Sequence, residues 1–294
     1  MKKKVKKIVL AYSGGLDTSV ILRWLQENYH AEIIAYTADL GQEIDRKKII
    51  RNARNLGVKN IVIEDLKDVF VKDYIFPMIR GNALYEGIYL LGTSIARPLI
   101  AKRQIEIAAQ TGADAVCHGA TGKGNDQVRF ESAVAALAPE LTSIAPIRDL
   151  ALTRDKAIAY AEEHGLPIKQ SKKNPYSIDK NVWGRTVETG PLEDPWNAPE
   201  DDVWEYTSDP AAGLPGEDVV ITFSEGIPVA INDKAVTPLA AIEQLNVLAG
   251  AHGVGRVDIM EDRLVGIKSR EVYEVPAALT LINAHEELEN LVLE

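Results

Sequence analysis

The sequence has one cysteine, Cys117, in 294 residues. That excludes an internal disulfide and any metal site built from cysteine alone. It also lacks an excess of cations: 33 Lys and Arg stand against 43 Asp and Glu, a formal net charge of −10. Sequence-independent binding to a nucleic-acid backbone needs the opposite balance, so a nucleic-acid partner is not expected. Long apolar runs are missing too. No stretch approaches the ~18 residues of a membrane span. After Lys2, Lys3, Lys4, Lys6 and Lys7 the run Ile8 to Tyr12 stops at once in Ser13-Gly14-Gly15, too short for the core of a signal peptide. The lysines themselves read as a solvated tail. The chain is therefore expected to be soluble and cytoplasmic, without a membrane partner. It contains no internal repeat and no low-complexity stretch.

An apolar fraction of 46% is ample for a core. At roughly 150 residues per domain the length suggests two. The first half alternates strand-like and helix-like periods. Ile8 to Tyr12 is a short continuous apolar run, as in a strand buried on both faces. Asp17 to Tyr29 follows as a helix with Val20, Ile21, Trp24 and Leu25 on one stripe. Strands are then expected at Glu32–Ala38, Val58–Ile63, Ala113–Cys117 and Leu141–Ala145. Helices are expected at Asp45–Leu56, Ser94–Gln110, Gln127–Leu137 and from Thr153 to Gly165. Alternation of this kind implies an open parallel sheet covered on both faces, with ligands bound beyond the carboxyl ends of the strands. Beyond Pro167 the texture changes. Residues 168–216 have no clear period, and Val219–Phe223 with Pro228–Asn232 reads as a hairpin around Glu225-Gly226. A helix over Pro238–Ala249, a hairpin pairing Arg256–Met260 with Leu264–Lys268, and a helix from Pro276 to Glu294 complete an α+β half. The expected domains are 1–166 and 167–294.

Two loops carry chemistry. Ser13-Gly14-Gly15-Leu16-Asp17-Thr18-Ser19 links the first strand directly to a helix. Glycines let the backbone approach a ligand, and a helix N-terminus offers unpaired N–H donors and partial positive charge. This suits a polyphosphate, although the string is neither a Walker A nor a G-x-G-x-x-G pattern. The plain alternative is a tight turn with capping residues. The second loop, His118 to Phe130, has three glycines and then Thr121, Asn125, Asp126 and Arg129 within about two helical turns. Asp126 suits an ammonium group and Arg129 a carboxylate, as an amino-acid substrate requires. The alternative is a solvated turn with Asn125 and Asp126 as helix caps. Tyr85 and Tyr89 are expected four apart on a helix, where packing on the core is the ordinary role. Glu261 and Asp262 fall in a hairpin turn, where acidic residues are usually just solvated. His118 and His252 are expected to be structural, and Lys123 resembles a Walker lysine only superficially.

The first string resembles the pyrophosphate-binding motif of the N-type ATP pyrophosphatases. Together with Tyr-Leu-Leu-Gly-Thr-Ser-Ile-Ala-Arg-Pro (89–98), His-Gly-Ala-Thr-Gly-Lys-Gly-Asn-Asp-Gln-Val-Arg-Phe (118–130), Lys-Asn-Pro-Tyr-Ser (173–177), His-Gly-Val-Gly-Arg (252–256) and Gly-Ile-Lys-Ser-Arg (266–270), it resembles the argininosuccinate synthase family along essentially the whole chain. The 118–130 string is specific to that family among its relatives. The resemblance implies an adenine-nucleotide alpha-hydrolase-like, Rossmann-like domain followed by an α+β synthetase domain. It implies a ligase of arginine biosynthesis and the urea cycle that adenylates citrulline with Mg²⁺-ATP and lets the aspartate amine displace AMP. No redox cofactor and no covalent nucleophile are implied.

Carried over by position, the resemblance places ATP on Ala11, Tyr12, Ser13, Gly14, Gly15, Leu16, Asp17, Thr18 and Ser19, with Ala38 and Gly119. It places aspartate on Thr93, Thr121, Asn125 and Asp126, and citrulline on Tyr89, Ser94, Asn125, Arg129, Ser177, Thr186, Glu261 and Tyr273. Asp126 and Arg129 would position the substrates, and Asp17 is a candidate for reaching the magnesium. Thr186 stands where the family commonly has a serine, which keeps the hydroxyl. Family members continue beyond the point where this chain stops, so a shortened synthetase domain is expected. The homotetramer that the family forms is then in question, as is activity. Rival readings are another ATP pyrophosphatase, an amidotransferase-type synthetase or a tRNA-modifying ligase, or a nucleotide-binding module without turnover.

Overall fold

The computed structural model describes residues 5–150, 152–166, 175–212 and 214–293. Lys2 to Lys4, the change of texture at Pro167, Lys173-Asn174 of the 173–177 string, and Glu294 lie outside the described residues. The chain forms two compact units that interleave in sequence: residues 1–39, 43–65 and 97–173 make the first, and 40–42, 66–96 and 174–294 the second. Among the described residues no helix is long and apolar enough to cross a membrane.

The first unit is an all-parallel five-stranded sheet. Its strands are β1 (Lys7–Ala11), β2 (Glu32–Asp39), β3 (Asn60–Asp65), β4 (Ala115–Cys117) and β5 (Thr142–Ile144), in the order β3-β2-β1-β4-β5. The helices α1 (Leu16–Tyr29) and α2 (Arg46–Asn55) make the crossovers on one side of β1. The strand order reverses there, because the chain leaves β3 and returns to pair β4 with β1. That reversal is the topological switch point where such sheets bind ligands. Ile8, Leu10, Ile21, Leu22, Leu25, Ile33 and Ala35 are buried in one core beneath it. The fold class expected from the alternating periods is the one observed.

From Arg97 onward, α5 (Gly92–Thr111) belongs to this unit. Buried Gln104 donates from its amide nitrogen to the carbonyls of Val9 at 2.7 Å and Cys117 at 2.8 Å, tying the helix to β1 and β4 at once. Two buried carbonyls are thereby satisfied by one side chain. The remaining helices are α6 (Asp126–Leu137), α7 (Pro146–Asp149) and α8 (Arg154–Glu163); Thr153 caps α8 by accepting from the Lys156 amide.

The second unit has two antiparallel sheets. Its segment 66–96 contains α3 (Lys67–Phe70), one wide turn over Val71–Ile75, and α4 (Phe76–Arg80). The four-stranded sheet runs β11-β12-β7-β6, from β6 (Ser177–Asn181), β7 (Gly184–Glu188), β11 (Arg256–Asp262) and β12 (Lys268–Glu274). The smaller sheet joins β8 (Ile221–Ser224), β9 (Ile227–Ile231) and β10 (Lys234–Ala235). The helices α9 (Pro238–Ala251) and α10 (Pro276–Val292) complete it, α9 capped by Thr237. Trp183 is fully buried and donates to the Leu90 carbonyl at 2.9 Å, while Trp204 lies under the Arg256 guanidinium. Glu274, also fully buried, accepts from the amides of Glu205, Tyr206 and Thr207, from the Thr207 hydroxyl and from Arg185.

Several expectations need correction here. The second hairpin pairs Arg256–Asp262 with Lys268–Glu274, not with Leu264–Lys268, so Glu261 is a strand residue rather than a turn residue. Tyr85 and Tyr89 are not on a helix: they close a tight turn by exchanging backbone bonds of 3.1 and 2.9 Å across Glu86 and Gly87, both at positive φ. The stretch expected to be irregular contains the β6–β7 hairpin. Its polar strands, SIDKN and GRTVE, carry little apolar alternation to announce them.

Candidate functional site

In the first unit the loop after β1 is built by backbone. Gly14 has φ +78°, and a β-carbon there would lie 3.0 Å from Ile49 Cγ1 and 3.3 Å from Ile49 Cα on α2. A side chain there would be strained by conformation and crowded by Ile49. The Asn52 amide donates to the Gly14 carbonyl at 3.0 Å and fixes the turn. Gly15 occupies the N-cap position of α1 and brings no side chain to cap it, while its own amide donates to the Ser13 hydroxyl at 3.3 Å. The loop is a tight glycine turn leading straight into the N-terminus of α1, where the helix dipole favours an anion. The members of the string divide by direction. Tyr12 and Ser19 are buried, and their hydroxyls lie 3.1 Å apart. Ser13, Gly15 and Asp17 are exposed, and Ser13 meets the Thr18 hydroxyl at 3.1 Å. Ala11 and Leu16 flank the turn half-buried. Ala38 is buried inside β2, one residue before its end.

The loop after β4 comes to the same edge of the sheet. A β-carbon on Gly119 would stand 3.1 Å from Ile21 Cδ1 of α1, so this backbone passes directly over the first helix. His118 is buried, stacked on Phe130 with centroids 5.0 Å apart, and its Nδ1 accepts from the Ala120 amide at 3.3 Å. Burial pushes its pKa down to about 4. At neutral pH it is an uncharged imidazole packed on Phe130. Thr121 and Lys123 are exposed, and Gln127 donates to the Gly122 carbonyl at 2.9 Å, closing the loop onto α6.

Asn125 is buried at the N-cap position of α6 but makes no side-chain cap. Asp126 does not cap either. One carboxylate oxygen accepts from Arg129 at 2.8 Å and the other from Arg97 Nε at 2.9 Å. Burial alone would raise this carboxyl, but the two guanidinium groups, Arg97 foremost, hold it below the usual carboxylate range. The three groups together carry one net positive charge, which favours a carboxylate or phosphate beside them. Arg97 belongs to the 89–98 string, but the sequence reading assigns it no role. Sequence alone places it on a helix 29 residues from Asp126, with nothing to signal the pairing.

In the second unit the site is built by side chains on the four-stranded sheet. One face is apolar: Val187 and Val272 pack with Leu192 and Val203. The period-2 alternation of strands sends the residues between them to the other face. There Asp179, Thr186 and Tyr273 stand opposite one another across β6, β7 and β12. Thr93 donates to Asp179 at 3.1 Å and lies 3.5 Å from the Thr186 hydroxyl. The ring of buried Tyr89 stacks on Tyr273 with centroids 4.8 Å apart. Its hydroxyl accepts from the amides of Thr93 and Ser94 at 3.2 and 3.3 Å, anchoring the start of α5. The Tyr273 hydroxyl lies 2.5 Å from Glu261 and 2.7 Å from Glu271, both buried carboxylates. Burial pushes the Tyr273 phenol well above its usual range, with Glu271, Tyr89 and Glu261 adding to it. Ser177 begins β6 at the exposed end of the same row.

The structure thus gathers Tyr89, Thr93, Ser94, Thr186, Glu261 and Tyr273 in the second unit. It gathers the 11–19 string with Gly119, Asn125, Asp126 and Arg129 at one edge of the first. Asp179, Glu271 and Arg263 belong to the polar face and are missed by sequence reasoning. The i, i+2 spacing of Glu271 and Tyr273, and of Ser177 and Asp179, is the available signal, but it needs the strand register to be read. Elsewhere in the second unit a cavity of about 200 Å³, lined by Met78, Ile79, Ala83, Leu84 and Ile282 with Asn82 and Glu286, includes none of these residues.

Comparison with known proteins agrees with both halves. Residues 7–167 match the arginosuccinate synthase N-terminal HUP domain, and residues 176–294 match the arginosuccinate synthase C-terminal domain. The chain is 56% identical over 300 aligned residues to the argininosuccinate synthase of a Nitratiruptor species, a match covering 100% of this chain and 74% of that protein. The two loops at the switch point, the polar sheet face and these matches lead to one conclusion: the chain belongs to the argininosuccinate synthase family.

Proposed function

We propose that this chain joins citrulline to aspartate in the ATP-dependent ligation of its family, with a nucleotide-binding domain over 1–166 followed by a synthetase domain over 167–294; the compact units depart from that division in placing 40–42 and 66–96 with the second. The observation that carries the reading is the N-terminus of α1, set behind a glycine turn at the switch point of a parallel sheet. ATP, arriving as its magnesium complex, lies with its phosphates on residues 11–19 and its remaining parts near Ala38 and Gly119. Citrulline uses Tyr89, Ser94, Asn125, Arg129, Ser177, Thr186, Glu261 and Tyr273, and aspartate uses Thr93, Thr121, Asn125 and Asp126.

The chemistry needs no nucleophile from the protein. The citrulline ureido oxygen attacks the α-phosphorus and pyrophosphate leaves. The aspartate amine then attacks the ureido carbon and AMP leaves. What the chain supplies is orientation and fixed charge. Backbone amides stabilise the departing pyrophosphate, and the Arg97–Asp126–Arg129 cluster offers both signs of charge to the ends of amino acids. A cytoplasmic homo-oligomer, a tetramer as in the family, is the assembly proposed.

The test is product analysis by mass spectrometry with Mg²⁺-ATP, citrulline and aspartate, each omitted in turn. Argininosuccinate and AMP are expected only with all three present, and pyrophosphate only where citrulline is present. Pyrophosphate released without citrulline, or no product with all three while ATP still binds, would overturn the assignment.

A further inference from the structure

Thr93 owns two protons for hydrogen bonding, and the structure engages both. Its amide donates to the Tyr89 hydroxyl at 3.2 Å, and its hydroxyl donates to Asp179 Oδ2 at 3.1 Å. A hydroxyl has one proton and two lone pairs, so what the Thr93 oxygen has left to offer is lone pairs. Another neighbour, the Thr186 oxygen, stands 3.5 Å away. That is well beyond the ~2.8 Å of a good O–H···O bond, so a Thr186 proton reaching across makes a weak contact that a ligand nitrogen can replace.

Strand register puts the acceptor in place. Asp179 stands opposite Thr186 across β6 and β7, and Thr186 opposite Tyr273 across β7 and β12, so one row of side chains crosses the sheet. Ile178 and Val187, next to them in sequence, pack in the apolar cluster and hold the row on the polar face. Thr93 comes from the first turn of α5, whose start Tyr89 fixes through the amides of Thr93 and Ser94. The bond from Thr93 to Asp179 thus joins the helix start to the row on the sheet.

We infer that Asp179 is the positioning residue for Thr93, and that by holding the Thr93 proton it makes this oxygen an acceptor for the amine of the incoming aspartate. The inference rests on the reading of Thr93 as an aspartate residue. Aspartate brings two carboxylates and one nitrogen. A carboxylate has only lone pairs to set against an oxygen that itself shows only lone pairs, and is repelled; an N–H finds an acceptor there. The substrate therefore meets Thr93 with its nitrogen, the atom that attacks the ureido carbon. An amine that donates an N–H to Thr93 also turns its own lone pair away from that oxygen. Asp179 thereby sets the direction of the nucleophile without touching it.

Steady-state kinetics of the full chain with Mg²⁺-ATP, citrulline and aspartate tests this on Asp179→Ala, Thr93→Val and the double variant. Asp179→Ala frees the Thr93 proton, so the KM for aspartate should rise about ten- to a hundredfold while that for citrulline changes by less than about twofold. Thr93→Val removes the acceptor itself and should raise the aspartate KM as much. The double variant should be no worse than Thr93→Val alone, because Asp179 acts through that hydroxyl. A merely structural tie gives a different result. Asp179 would then brace the helix start that also carries Ser94, so the two KM values would rise together, and that outcome overturns the inference. So does an unaltered aspartate KM in Asp179→Ala, or a multiplied effect in the double variant. A rise confined to citrulline would hand the acceptor to that substrate's nitrogen and overturn it as well. If Asp179→Ala fails to fold, Thr93→Ser, which keeps the hydroxyl, should hold the aspartate KM near wild type while Thr93→Val raises it; equal values in the two would overturn the inference. A wild-type chain that makes no argininosuccinate would remove the functional reading and this inference with it, whereas turnover with unaltered variants removes this inference alone.

Discussion

The two units solve the problem of holding a small polar ligand with different materials. In the first, the surfaces that matter are main chain: a glycine turn, a helix start and a second glycine loop, all placed by the order of a parallel sheet. In the second, they are side chains of antiparallel strands, aligned by register and held by one another. A backbone site is rigid for the same reason the fold is rigid. A side-chain site needs a supporting layer of its own, which Glu271, Arg263 and Asp179 provide. The lesson is that the first kind tolerates almost any neighbour but no added atom, and the second tolerates added atoms but no lost partner.

The sharpest way to break the comparison is to remove a partner from the second unit. Glu274→Ala strips five donors of their shared acceptor and leaves Arg185 without its buried counter-charge, at a cost of about 3–5 kcal/mol. Chemical denaturation should show the second unit unfolding early while ATP binding to the first persists. A single transition with stability unchanged would contradict this division. A smaller effect is expected from Asp126→Ala, which uncovers Arg97 and Arg129. Loss of a charged hydrogen bond is worth about 1.5–3 kcal/mol, or roughly ten- to a hundredfold. The loss should fall on the aspartate-dependent half-reaction and spare citrulline-dependent pyrophosphate release; equal loss in both halves would reassign Asp126. Smallest is Gly14→Ala, a single carbon forced into a left-handed conformation against Ile49, at about 1–2 kcal/mol. It should raise the KM for ATP and leave that for citrulline alone. An unaltered ATP dependence would reduce the first loop to an ordinary turn.

Legibility in the sequence follows the same divide. Continuous apolar runs such as Ile8–Tyr12, followed by glycine and a helical stripe, announce the parallel sheet, its helices and its ligand edge, because the signal is local. The polar face of the second unit is legible mainly through resemblance. Glu261 reads as a turn residue because the hairpin is longer than its apolar residues suggest: the polar positions Glu261, Ser269 and Glu271 face inward. Tyr85 and Tyr89 have helical spacing, but Glu86 and Gly87 at positive φ turn the chain instead. Asp126 reads as a free acid for an ammonium, whereas a pairing 29 residues away, invisible to any local pattern, joins Arg129 in giving it two cations. Register and long-range charge pairing are properties of the folded chain, and single-sequence periodicity does not encode them.

Trp183, sealed in the second unit with its indole nitrogen on the Leu90 carbonyl, has an optical consequence. Of the four tryptophans, Trp183, Trp196 and Trp204 lie in the second unit and only Trp24 in the first. Trp196 is 93% exposed, so a red shift on denaturation is expected from fully buried Trp183 and from Trp204 in the second unit and Trp24, packed on the core of the first. The chain therefore carries intrinsic fluorophores weighted toward its side-chain-built half, without any label attached.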